Sequence, residues 1–201
     1  TMNQKYLLYS LLLAVIIISC NKSKKEEVGI KQPVNAKIES IATLPKKLDF
    51  RLDLVKEQIE HNEFKRAIFY SNELIEESKN FKNKDGEAWG YYEKGFIYDQ
   101  HLGLHDSALI NYHQSLSLRK EIGEKKHMNY CYLGMAGAYY KLEFPDRAES
   151  YYNLAIDHAK KINDKSTEAA AYRGIGLVHQ NLKDDYVVAA LHYAKCLELQ
   201  K

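Results

Sequence analysis

The chain has 201 residues, with 29 basic against 27 acidic side chains and a formal net charge of +2, a balance without the basic footprint that nucleic-acid binding needs. Its three cysteines are too few for a disulfide framework. Once a leader and a linker are set aside, about 155 residues remain, enough for one domain with a hydrophobic core.

Lys5 precedes an apolar run from Leu7 to Ile18, which closes on Ser19 and Cys20. The run is short for a bilayer span, which takes roughly 20 apolar residues, and suits the h-region of a secretory signal. An uncleaved signal anchor, with Cys20 an ordinary thiol, is the other reading. Aliphatic residues, a small residue and then a cysteine, as in Ile17-Ile18-Ser19-Cys20, resemble the lipobox of bacterial lipoproteins. The resemblance implies residues 1–19 as a signal peptide, cleavage before Cys20, a diacylglycerol and palmitate-type acyl chains on Cys20, and a lipid-anchored place in the cell envelope. Lys25-Glu26-Glu27 is similar to the export tag of surface lipoproteins in Bacteroidetes-type bacteria, which implies the outer membrane and leaves its periplasmic and surface faces open. Residues 20–45 contain Gly29, Pro33, Asn35 and Pro45 and little apolar periodicity, the composition of a flexible linker. A coil of that length holds a folded body roughly 25 to 30 Å from the lipid.

Residues 46–201 read as helices over 47–61, 63–80, 86–102, 106–121, 127–142, 145–161, 167–182 and 186–200, four hairpins in all. Tyr91, Tyr132 and Tyr172 are spaced 41 and 40; Gly95, Ala136 and Gly176 likewise; Ala67, Ala108, Ala148 and Ala189 stand 41, 40 and 41 apart. Self-similarity at such a period signals stacked supersecondary units. The small residues let paired helix axes approach closely while tyrosines fill the space between units. The turns Phe81 to Asp85, Ile122 to Lys126 and Ile162 to Ser166 put Gly123 and Asn163 in one slot, where a left-handed residue ends a helix. Asp85 and Ser166 are the expected caps.

The units Tyr91-x2-Lys94-Gly95-x2-Tyr98 with Ala108-x3-Tyr112, Tyr132-x2-Met135-Ala136-x2-Tyr139 with Ala148-x3-Tyr152, and Tyr172-x2-Ile175-Gly176-x2-His179 with Ala189-x3-Tyr193 resemble the tetratricopeptide repeat (TPR). The resemblance implies an all-α, TPR-type solenoid of about four antiparallel hairpins, with second helices longer than the family standard. A degenerate first unit carries Arg51 and Gln58 in the aromatic slots, which suits an outer face that meets water.

Repeat stacks bind with the concave face, lined by one stripe of every first helix. In register that stripe is Trp89, Tyr130 and Ala170; Tyr92, Leu133 and Arg173; Phe96, Gly137 and Leu177; Asp99, Tyr140 and Gln180; Gln100, Lys141 and Asn181. It runs from aromatic to polar and suits a protein or peptide ligand with an apolar anchor and a polar or acidic tail, since interface hot spots favour Trp, Tyr and Arg. The competing reading packs half of these residues between adjacent first helices. No phosphate loop, nucleophile elbow or His-Glu-x-x-His motif occurs. His101, His105 and Asp106 flank Gly103 in a turn and read as solvated residues rather than metal ligands, and Cys131 and Cys196 as buried small hydrophobes on separate elements. A non-catalytic scaffold without cofactor or metal is therefore expected.

The segment Arg119 to Lys126 also looks like the turns of sensory TPR arrays in Bacteroidetes regulators, which implies the input region of a signalling protein whose kinase or DNA-binding effector lies elsewhere. The last hairpin has no following helix to cover its apolar face, so a capping partner or self-association is expected there.

Overall fold

The computed structural model describes residues 44–201. Cys20 and the leader and linker expected over residues 1–45 lie outside the described residues, apart from the start of the first helix. Among the described residues eight α-helices follow one another: α1 (Leu44–Glu60), α2 (Phe64–Asn80), α3 (Lys84–Phe96, continued by a π-helical segment, Ile97–His101), α4 (His105–Glu121), α5 (Met128–Lys141), α6 (Pro145–Ile162), α7 (Lys165–Leu182) and α8 (Tyr186–Leu199). From α2 onward each packs on the next, and Leu48–Lys201 is one compact unit. Among the described residues the fold is an all-α repeat of antiparallel hairpins.

The reversals keep time. Among the described residues, every one with positive φ falls on one of two series: Asn62, Gly103, Glu143 and Asp184 between the helices of a hairpin, and Lys82, Gly123 and Asn163 between hairpins. Gly123 and Asn163 hold the left-handed slot expected of them, at φ 68° and 57°, and Lys82 holds its equivalent at 55°. The caps differ from expectation. Asn83 accepts from the Gly86 amide at 2.9 Å and Asp164 from the Thr167 amide at 3.0 Å, so the residue directly after the left-handed one caps the helix, not Asp85 or Ser166. Only that residue retains the extended backbone from which a short side chain reaches back to the first free amides. Glu124 occupies the same register and takes the amides of Lys126 and His127 at 2.8 and 3.0 Å.

The alternation between 41 and 40 has a definite address. Tyr98, Tyr139 and His179 share a register, yet Tyr98 and His179 stand five residues before their turns and Tyr139 only four. In α3 the extra residue is taken up as the π segment, closed by Leu102 N–H to Ile97 O at 3.2 Å and Leu104 N–H to Tyr98 O at 2.8 Å. After α7 it lengthens the turn, closed by Asp185 N–H to His179 O at 2.9 Å.

Of the second-helix tyrosines in the repeat slot, Tyr112 and Tyr152 lie within the core, while Tyr193 in the last hairpin is half-buried. A Cβ on Gly95, in the same hairpin, would stand 2.9 Å from the Tyr112 ring, and one on Gly134, in the following hairpin, 2.6 Å from it. Gly174 meets Tyr152 in the same way, at 2.3 Å. Burial pushes the Tyr152 phenol up to about 12. Ala67, Ala108 and Ala148 are fully buried, as close axial approach requires. In the first hairpin Arg51 departs from expectation. It is buried rather than turned to water, pairing with Glu77 and, at 3.8 Å, with Glu73; the long stem fills an aromatic slot while two carboxylates of α2 compensate its charge.

Two glycines on α5 separate these effects. Gly134→Ala should cost roughly 1 to 3 kcal/mol through overpacking against Tyr112. Gly137→Ala, whose Cβ meets nothing within 4 Å, should gain about 0.5 to 1 kcal/mol from helix propensity. Thermal melts of the two variants moving in the same direction would contradict this register.

Candidate functional site

The first helices α3, α5 and α7 touch directly and present one shared face. At its aromatic end Trp89 on α3 lies edge-on to Tyr92 at 5.8 Å, and Tyr130 on α5 sits 6.3 Å from Trp89 and 5.8 Å from Tyr92. The His127 ring fills the gap, 4.8 Å from Trp89 and 5.6 Å from Tyr130. The Arg119 guanidinium lies over the indole at 4.5 Å, with Lys56 at 5.9 Å.

Arg119 is fully buried, and a buried cation must be paired or pay a large desolvation cost. Its Nη1 lies 3.2 Å from Glu124 and 3.7 Å from Asp85, and its Nε donates to Ser115 Oγ at 3.4 Å. Ser115 in turn donates to the Ala88 carbonyl at 2.8 Å and accepts from the Cys131 thiol at 3.4 Å. The network joins α3, α4 and α5. Beside it Glu93 is buried too; burial raises its carboxyl above the ordinary value, outweighing the attraction of Lys56 and Arg119.

The polar end is differently built. Asp99, expected to face a partner, is only 2% exposed. The π segment turns its carboxylate inward, where it meets His105 Nδ1 at 2.8 Å, Lys141 Nζ at 3.3 Å and the Gln100 amide. Asp99 thus has a structural place, and it engages Lys141 as an ion-pair partner and Gln100 as a hydrogen-bond donor. His101 stacks on Phe64 at 4.4 Å and lies 5.6 Å from Phe96, so Phe96 belongs to a side cluster. Leu133 packs on the core, and Leu177 is half-buried. Asn181 donates to the Tyr140 hydroxyl at 2.7 Å, tying α7 to α5, while Gln180 accepts from the Tyr193 hydroxyl at 2.7 Å. Arg173 is exposed and lines a cavity of about 450 Å³ with Cys196 and Ala170. Of the expected residues, Gln100, Tyr130, Lys141, Arg173 and Asn181 are exposed, and the others apart from Asp99 are half-buried.

The sequence pattern passed over Arg119, Glu93 and Glu124 as site residues, and His127, which reads in sequence as a helix-surface residue, is half-buried against Trp89. Arg119 shares its register with Ser78 and Ala159, and a long cation among small residues was the available sign. Among the described residues no three His, Cys, Asp or Glu side chains converge as metal ligands would, and no helix is long and apolar enough to cross a membrane.

No family model matches the chain, and no curated protein does. Among solved structures it is similar to the crystal structure of BtubC (BKLC) from P. vanneervenii, with a TM-score of 0.67 and 18% identity over 91% of this chain and 71% of that one. The class so defined is an all-helical repeat protein. At that level of identity the likeness to BtubC is one of fold alone.

Glu93 gives a pH signature. A carboxyl raised in the folded state binds its proton more tightly there than in the unfolded chain, so its contribution is complete below the unfolded value and is lost as pH rises through the folded one. Glu93→Gln removes that loss. Its melting temperature should exceed the parent's at neutral pH and approach it in acid; a pH-independent difference would count against burial as the dominant cause.

Proposed function

We propose that the chain is a lipid-anchored scaffold of the tetratricopeptide type that binds a protein or peptide at the bacterial cell envelope and catalyses nothing. The observation that carries the reading is the shared face of α3, α5 and α7, where aromatic rings and exposed polar side chains from successive repeats are held on packed helices. Rigid aromatic surface beside adaptable polar groups is what peptide recognition uses. The tetratricopeptide assignment is supported by the regular reversals and by the alanine and tyrosine slots. The anchor rests on the lipobox-like run ending at Cys20.

A second reading, the sensory region of an envelope signalling regulator, is favoured by α8. There Leu197 is 62% exposed, although Leu116 and Ile156 in the same register are buried. Val187 and Leu191 extend that apolar surface, which a further helix or a second copy would cover.

Two measurements test the proposal. The intact mass of the protein extracted from its own membranes should equal residues 20–201 plus diacylglycerol and acyl chains; an unmodified amino terminus would overturn the anchor, and a mass extending past Lys201 would favour the sensory reading. A photo-crosslinking residue placed in cells at Arg173 or Asn181 should yield a partner adduct, whereas one at Leu154, exposed on the second helix α6, should not. Equal yields at all three would remove the binding face.

A further inference from the structure

We infer that the hollow beside Tyr130 is a socket for an aromatic side chain of a peptide that carries a carboxylate next to the ring. This rests on the binding-face reading above and names its anchor. The repeat itself supplies the template. Trp89 and Tyr130 share a register, as do His127 and Thr167, and Arg119 and Ala159. Around Trp89 the space is full, with the His127 ring at 4.8 Å and the Arg119 guanidinium at 4.5 Å. One repeat on, threonine stands where the imidazole stood and alanine where the arginine stood. Tyr130 is left 38% exposed beside a cavity of about 560 Å³ walled by Tyr130, Ile162 and Thr167. The missing object is a planar ring, since a ring occupies the equivalent place one repeat earlier, and ring pairs at such separations are favourable beyond their burial.

The rim selects the charge. Lys125 and Lys126 line the same cavity, and neither has a carboxylate within ion-pair distance among the described residues. The nearest acid on the rim, Asp164, is already committed: it accepts from the Thr167 amide at 3.0 Å, the Thr167 hydroxyl at 2.6 Å and the Asn129 amide at 3.1 Å. Burial opposes its ionisation, yet these bonds hold the carboxyl below its ordinary value. Two lysines against the single carboxylate of the lining leave the mouth net positive, which suits a carboxylate next to the bound ring.

The test is amide NMR of the full chain, isotopically labelled and held in detergent micelles, with N-acetyltryptophan as the probe. Saturable shifts are expected at Tyr130, Asn163 and Thr167, several-fold tighter than with N-acetyltryptophanamide, which lacks the carboxylate. Thr167→Ser keeps the bond to Asp164 and the open socket and should retain binding. Thr167→His closes the socket with the residue's own ring and Tyr130→Leu removes its wall, so both should lose binding at an unchanged helical circular dichroism spectrum. The inference is overturned by absence of saturation, by shifts that persist in Thr167→His, or by N-acetylargininamide binding at least as well as N-acetyltryptophan. Partner crosslinks at Arg173 and Asn181 that survive in Thr167→His while the probe fails to bind the parent protein would remove the socket and leave the binding face standing.

Discussion

Tyr112 is clamped between Gly95 of its own hairpin and Gly134 of the next, and that contact sets the distance at which the second and third hairpins stack. The ring supplies the buried area and the two glycines supply the room; a methyl on either side fits only if the ring gives way. Tyr152 and Gly174 repeat one half of the clamp a unit later. The first unit inverts it, because Ser71 stands in the tyrosine register and Glu93 in the glycine register. Bulk has moved from one helix to the other, and a carboxyl has been buried in the exchange.

With the stacking set by apolar volume, charge is left to distinguish one repeat from another. Arg119 and Asp99 are each buried with opposite charges around them, an arrangement that adds little net stability, although removing one partner would strand a buried charge. Arg119 links α3, α4 and α5 behind Trp89; Asp99 holds Lys141 and His105 at the far end. The shared face is braced from behind by ion pairs, and its exposed groups are the remainder after these internal demands are met.

Most of the helix pattern was legible because the hydrophobic and small-residue slots repeat at fixed spacing, and periodicity is a signal a single sequence carries. The left-handed slots at Gly123 and Asn163 were legible for the same reason. The burial of Asp99 was not: it depends on one extra residue being absorbed as π helix, and a count along the chain places that residue equally well anywhere in the period. Arg51 misled in another way, since its partners Glu73 and Glu77 lie on a different helix. The caps fell two positions before the expected residues because the reversal consumes a single left-handed residue before the next helix takes hold. Of the proposed face, residue types and register could be read; which side chains reach water could not, because that depends on neighbours supplied by other repeats.

From one left-handed reversal inside a hairpin to the next reversal between hairpins, the spacing is always 20 residues: Asn62 to Lys82, Gly103 to Gly123, Glu143 to Asn163. All variation in period is confined to the ends of α3 and α7, beyond the last shared aromatic slot. The second helices and their flanking turns therefore behave as interchangeable cassettes, with length tolerance quarantined at a single joint. An insertion at that joint redirects one or two side chains, as it does Asp99, without changing the phase of any hairpin after it. The array can thereby acquire local novelty in its surface while its assembly grammar stays constant.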